Sequence, residues 1–294
     1  MSWLILIAYI VIFIGLLIAA VIYQRRTRKD RRPFPDNFKL LRAPGETLRR
    51  RTAQLSENLV MYFFGALSIP VIVSFAFLWV TTHLEGRFQL YGLVITVVAL
   101  LLSLVFAIRQ LLAALSRWTN HELGCFGERI VGEALEPLKA AGFRVFHDVP
   151  AGDAKTPFNL DHVIVGPSGV FAIETKTRRK GRARSGFAEH EIIYDGRVLA
   201  YPWGEDRHGL DQAVRQARWL EDYLVSLLGL RIPVHPILTF PGWMVITRAC
   251  GTVNVLNPKQ IPAAVTSRGA PVLDADQIDL VARQLEARCR DVEF

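Results

Sequence analysis

The side chains best suited to chemistry lie in the stretch Asn159 to Lys180, NLDHVIVGPSGVFAIETKTRRK. Two short apolar runs flank Gly166-Pro167-Ser168-Gly169, and Gly with Pro at such a junction marks a tight hairpin turn. A turn centred between Pro167 and Ser168 sets Val165 opposite Val170, Val163 opposite Ala172 and Asp161 opposite Glu174. Alternation along the strand puts Lys176 on the face of Glu174. Two carboxylates then stand roughly 5 Å apart at Cβ with an ammonium beside them. Like charges directly opposed destabilise a sheet, so the arrangement calls for compensation. Two readings fit. A divalent cation on oxygen ligands answers the repulsion, and Mg²⁺ takes one or two carboxylates while keeping waters for a phosphate substrate. The other reading is a solvated face on which Asp161 and Glu174 share Lys176.

The elements that must position these groups follow from periodicity. Upstream, a helix is expected from about His121 to Ala141, its buried stripe made by Val131, Ala134, Leu135 and Leu138. Glu128 falls on the edge of that stripe, whereas Glu133 and Glu136 point elsewhere. A carboxylate leaning toward a core is costly unless it is paired or bound to metal. As a lone residue it also reads as a helix-start acid. Gly142 ends the helix and Phe143 to Val149 alternates as a strand. Glu191 to Leu199 reads as a short strand pair around Asp195-Gly196, and a second helix runs from about Gly209 to Leu228. Leu210, Ala213, Val214, Ala217, Leu220 and Leu224 form its core stripe, and Gln212 lies on the neighbouring one. Pro236 to Phe240, Trp243 to Ile246 and Val253 to Leu256 read as strands, and Ala275 to Cys289 as a closing helix. Helix, strand, hairpin, helix and strand in this order give an α/β domain with a mixed sheet between helices.

The chain has 294 residues, enough for about two domains. Hydrophobic residues make up 51% and concentrate near the N-terminus. Residues 3–23, 58–82 and 88–108 are each free of charge and long enough to span a hydrocarbon core, so three transmembrane helices are expected. The first lacks the basic n-region and cleavage site of a signal peptide. Between the first two helices, residues 24–57 carry 11 Lys or Arg, whereas the turn before the third carries only Arg87. The positive-inside rule places this basic loop in the cytoplasm and the N-terminus outside. The expected division is therefore a membrane region, residues 1–115, and a cytoplasmic domain, residues 116–294, on a multi-pass protein of the inner cell membrane.

The net charge of +8 resides in the first part, because residues 116–294 hold 22 basic and 22 acidic side chains. The basic balance thus reports membrane topology and anionic lipid rather than nucleic acid. Local clustering differs: Lys176, Arg178, Arg179, Lys180, Arg182 and Arg184 leave the candidate strand together, where a phosphate backbone would pass. A solvated loop or a second lipid contact fits the same run. Cys125, Cys250 and Cys289 show no metal-binding spacing and suit a reducing compartment. The sequence has no Gly-Lys-Ser/Thr phosphate loop, no His-based metal motif and no nucleophile elbow.

An acidic residue in the first helix, an Asp on the second strand and Glu-x-Lys ending the third resemble the PD-(D/E)XK nucleases, which have the restriction-endonuclease-like fold. More narrowly, residues 121 to about 265 resemble the NERD, or nuclease-related, domain. The resemblance is carried by Gly127-Glu128 with Val131 and Leu135, Asn159-Leu160-Asp161-His162, Val165 to Gly169, Ile173-Glu174-Thr175-Lys176, and Gln212-Ala213. One departure is Leu160, where the family pattern has Pro before the Asp. The resemblance implies Asp161 and Glu174 as ligands of Mg²⁺ or Mn²⁺, with Glu128 holding or orienting the metal. It implies Lys176 positioning the attacking water and Gln212 supporting it, in hydrolysis of a phosphodiester of DNA. Arg178, Arg179 and Lys180 would then bind the substrate backbone, and the membrane anchor would bring nucleic acid to the inner face. The competing class is a membrane-tethered binding module that keeps the fold without turnover.

Overall fold

A computed structural model describes residues 2–27, 38–83, 86–229, 231–267 and 271–292. The first helix, α1 (Ser2–Thr27), belongs to one compact unit, and residues 41–292 form another. Ten of the residues between the two, 28–37 of the expected basic loop, lie outside the described residues. After the short β1 (Leu40–Leu41) come two long helices, α2 (Glu46–Thr81) and α3 (Arg87–Leu135), and the four-residue α4 (Pro137–Ala140). The strands β2 (Arg144–Ala151), β3 (Phe158–Gly166) and β4 (Gly169–Thr175) follow, then β5 (Glu191–Tyr194), β6 (Leu199–Tyr201) and β7 (Gly204–Asp206). Helix α5 (His208–Leu228) leads to β8 (Val234–Thr239), β9 (Met244–Thr247) and β10 (Asn254–Leu256), and α6 (Ile261–Thr266), α7 (Ala275–Cys289) and β11 (Arg290–Val292) close the chain.

The result is a mixed α/β domain built on a five-stranded sheet in the order β10-β8-β4-β3-β2. Strands β2, β3 and β4 run antiparallel, while β8 joins β4, and β10 joins β8, in parallel. Because strand side chains alternate, the hairpin β3–β4 feeds two cores at once. Val163, Val165, Val170 and Ala172 pack with Leu220 and Leu224 of α5 and Val281 and Leu285 of α7. Ile164, Phe171 and Ile173 pack on the other face with Val131 and Leu135 of α3 and Ile261 and Val265 of α6. A second sheet, β7-β6-β5-β9, extends the domain beyond one sandwiched sheet. Its core of Ile192, Tyr194, Tyr201, Phe240 and Trp243 shares Leu210 and Ala213 with the start of α5.

The helix expected at His121–Ala141 is not a separate element. The helix that carries the apolar run 88–108 continues unbroken past Arg109 and through the 115/116 boundary, so one 49-residue helix, α3, ends at Leu135. Nothing between Arg109 and Glu128 stops a helix, since Pro is missing there and Gly124 and Gly127 are tolerated within it. Likewise α2 begins at Glu46, inside the expected basic loop, and Arg42–Arg50 packs on the α/β domain. Two helical segments, Glu46–Trp79 and Phe88–Ala140, are long and apolar enough to cross a membrane. In the most apolar stretch of each, only 6% and 17% of the residues are buried, whereas the far end of the second carries Val131 and Leu135 into the core. The third expected span, residues 3–23, falls within the 26-residue α1, and the side chains of residues 3–7 and 10 lie outside the described residues.

Candidate active site

The hairpin forms in the expected register: Gly166 pairs with Gly169, Val165 with Val170, Val163 with Ala172 and His162 with Ile173. Gly169 sits at φ 119°, a conformation only glycine takes without strain, which fixes the turn and thereby every pairing beyond it. The paired ladder stops at His162–Ile173, one step short of the expected Asp161–Glu174 pair. There the Asp161 side chain takes over: its Oδ2 accepts the Thr175 N–H at 2.7 Å. By alternation from Val163 and Ala172, Asp161, Glu174 and Lys176 belong to the sheet face covered by α5.

Lys176 is anchored at both ends. Its N–H donates to the Thr239 carbonyl at 2.9 Å, and its Nζ lies 2.6 Å from Glu174 Oε1 and donates to Gln212 Oε1 at 2.8 Å. Gln212 is held there because α5 approaches the strand ends at Gly209, where a Cβ would meet Leu238 at 3.2 Å and the Lys176 stem at 3.6 Å. The Glu174 side chain is 3% exposed. Its Oε2 is buried without a hydrogen-bond partner.

Glu128 arrives from the opposite side on α3. Its neighbour Gly127 lies against the segment leaving β4, and a Cβ there would stand 1.9 Å from Thr177 Oγ1. Glycine therefore sets how closely the helix carries Glu128 to the strand ends. Glu128 is buried, and its Oε2 also has no partner. Burial first, then Asp148 and then Glu174, push its carboxyl up to about 8, against a backbone hydrogen bond from Gly45 and the charge of Lys176. Asp161 is pushed well above the usual carboxylate range by enclosure, then by Glu174 and Glu128. Three acids thus crowd one another around a single lysine, and two of their oxygens are unsatisfied in a low-dielectric setting. A hard, oxygen-preferring divalent cation fits that donor set. As placed, no group of three or more His, Cys, Asp or Glu among the described residues stands close enough to enclose one.

Sequence reasoning missed a fourth acid. Asp148 is buried in β2 at φ 48°, a left-handed conformation that Asp tolerates better than most residues. Its Oδ2 accepts from the Thr47 N–H at 2.8 Å, from Thr47 Oγ1 at 2.7 Å and from the Arg42 guanidinium at 3.0 Å, while Oδ1 accepts from Asn159 Nδ2 at 2.9 Å. Arg42 also grips Asp291 through two further nitrogens. Thr47 on α2, Asp148 on β2 and Asn159 on β3 are thereby clasped beside Glu128. The one legible signal was an acid in the middle of an alternating strand. The adjacent His147 and His162 join through their Nδ1 atoms at 2.8 Å, both held below the ordinary histidine range by burial and hence neutral, one donating and one accepting.

The basic run leaves the site over the second sheet. Arg178 reaches Asp206 at 3.4 Å, Lys180 lies 5.7 Å from the centre of the Trp243 ring, and Arg179 is exposed. The site residues Glu128, Asp161, Glu174, Lys176 and Gln212 are therefore brought together, with Arg178, Arg179 and Lys180 along the exit from the strand. Residues 123–241 match the family model of the nuclease-related domain, NERD. The match contains all eight of these residues. Comparison with curated proteins and with solved structures gave no match.

Proposed function

We propose that this chain is a membrane-anchored, divalent-metal-dependent nuclease of restriction-endonuclease-like fold that hydrolyses phosphodiester bonds of DNA at the cytoplasmic face. The observation that carries the reading is the convergence of Asp161, Glu174 and Glu128 around Lys176 in a segment that matches the NERD family model, with Glu128 Oε2 and Glu174 Oε2 buried and unpartnered. Asp161 and Glu174 would hold Mg²⁺ or Mn²⁺, assisted by Glu128. The metal supplies Lewis-acid polarisation of the phosphate and neutralisation of developing charge. Lys176, fixed by Gln212, orients the attacking water and stabilises negative charge on the phosphate oxygens. Arg178, Arg179 and Lys180 bind the flanking phosphates as charges along the exit path.

The anchor is the α2–α3 hairpin, whose apolar side chains from Val60 to Trp79 and from Phe88 to Leu115 are largely exposed. Both its free ends meet the α/β domain, α2 through Thr47 on Asp148 and α3 through Val131 and Leu135 in the core, so the domain lies on one side of the bilayer. The basic residues flanking α2 make that side cytoplasmic. In this topology α1 adds a first crossing and the N-terminus faces out. Glu128 stands roughly 28 Å beyond Arg109 along α3, at about 1.5 Å per residue. The site is thus held near the membrane without being in it.

A second reading, a tethered binding module without turnover, is favoured by two observations: Lys176 is already paired with Glu174, and among the described residues no three His, Cys, Asp or Glu close around a cation. The full chain in detergent, given labelled plasmid and oligonucleotides with Mg²⁺ or Mn²⁺, separates the two. Cleavage lost on chelation and in both Asp161→Ala and Lys176→Ala is expected. Binding without metal-dependent cleavage would overturn the nuclease reading.

A further inference from the structure

Trp203 occupies an unusual place. Tyr201 pairs with Gly204, so Pro202 and Trp203 form a two-residue hairpin loop, a position favouring Asn, Asp and Gly. The indole is 42% exposed, and the buried core of the second sheet forms without it. Yet the ring is fixed. It stacks on Tyr201 at 5.4 Å and 15° and meets Trp243 edge-on at 5.6 Å and 70°.

The basic run is tied to this aromatic group at both ends. Trp243 Nε1 donates to the Arg178 carbonyl at 3.1 Å, and the Arg184 N–H donates to the Pro202 carbonyl at 2.8 Å. Between these anchors Lys180 lies over Trp243. Gly181 passes Trp203 with no side chain, and a Cβ there would be 3.5 Å from the ring. No more than about 18 Å of chain separates Lys176 from Gly181. A rigid, half-open indole set in a cationic strip beside the site offers a stacking surface and phosphate contacts together. Bases inside a duplex are already stacked on one another, so such a surface selects unpaired ones.

We infer that Trp203 and the basic run Arg178–Arg184 form a stacking platform for unpaired nucleotides, making single-stranded nucleic acid, or an unpaired end, the substrate class. This rests on the nuclease reading for what the bound strand is delivered to. The test uses the full chain in neutral detergent with EDTA, so that binding is read without cleavage. Fluorescence anisotropy follows labelled oligothymidylate and a labelled duplex of equal length. Trp203→Ala is expected to weaken oligothymidylate binding by about fivefold to a hundredfold and duplex binding by less than about twofold. Trp203→Phe, which keeps a ring, is expected to retain most of the affinity, and unchanged unfolding midpoints separate the effect from misfolding. Equal loss on both nucleic acids, or no loss on either, would overturn the platform; the latter would leave Trp203 to the lipid face. Cleavage measured in parallel with Mg²⁺ keeps the readings apart. Trp203-dependent binding without any cleavage removes the nuclease reading alone, and cleavage with Trp203-indifferent binding removes the platform alone.

Discussion

Replacing Lys176 by methionine tests whether the site is the electrostatically closed unit its distances describe. The ammonium makes a 2.6 Å ion pair with Glu174 and a 2.8 Å hydrogen bond to Gln212, with Glu174 3% and Lys176 20% exposed. Methionine keeps the stem and removes the charge. Glu174, whose Oε2 already lacks a partner, is then buried with neither oxygen satisfied. Breaking a buried pair by removing one partner costs about 3–5 kcal/mol, and the partial exposure of Lys176 puts this case at the low end, about 3 kcal/mol. The assay is urea unfolding of the full chain in detergent with EDTA, at pH 7. Adding Glu174→Gln removes the stranded charge, so the double variant is expected to recover at least about half of the loss, a coupling of roughly 1.5 kcal/mol or more. A loss below about 1 kcal/mol for Lys176→Met, or strict additivity in the double variant, would refute the reasoning and return the pair to an ordinary solvated salt bridge.

Gly127→Ala is expected to reduce nuclease activity at least about tenfold with the α-helical content retained, because a Cβ 1.9 Å from Thr177 Oγ1 forces α3 and Glu128 away from the strand ends; unchanged kcat/KM would show that this approach does not matter. Asp148→Asn keeps the tolerance for φ 48° but removes the charge that Arg42 and Thr47 serve, so stability is expected to fall by about 2–3 kcal/mol in denaturant titrations. His147, buried and held at about 4, takes up a proton in the unfolded chain near pH 6.5 but not in the folded one. Its contribution is therefore intact above pH 6.5 and is lost as pH falls toward 4, about 2 kcal/mol between pH 7 and pH 5. His147→Gln is expected to flatten that slope in unfolding curves measured at the two pH values, and an unaltered slope would exclude His147 as its source.

Local patterns in the chain were enough to determine the hairpin, its register as far as His162–Ile173, and the nearness of Asp161, Glu174 and Lys176, whereas Gln212 was indicated only by the family resemblance. Turn chemistry at Gly166–Gly169 and strict two-residue alternation leave little freedom there, and helical periodicity similarly marks α5 and α7. What reaches across the chain was decided only by tertiary structure. A run of apolar residues does not say where a helix ends, because its end depends on what the last turns pack against. The expected separate helix is thus the far end of a 49-residue one, and Glu128 rides on the same element as the apolar span. The clasp of Arg42 and Thr47 on Asp148 joins residues about a hundred positions apart, and no local periodicity encodes such a pairing. Trp203 and the basic run likewise read as unrelated segments until the second sheet folds Pro202 onto Arg184. Sequence specified which groups carry charge; burial, which depends on the packing of the whole domain, decided which of those charges are left unsatisfied and so available for chemistry.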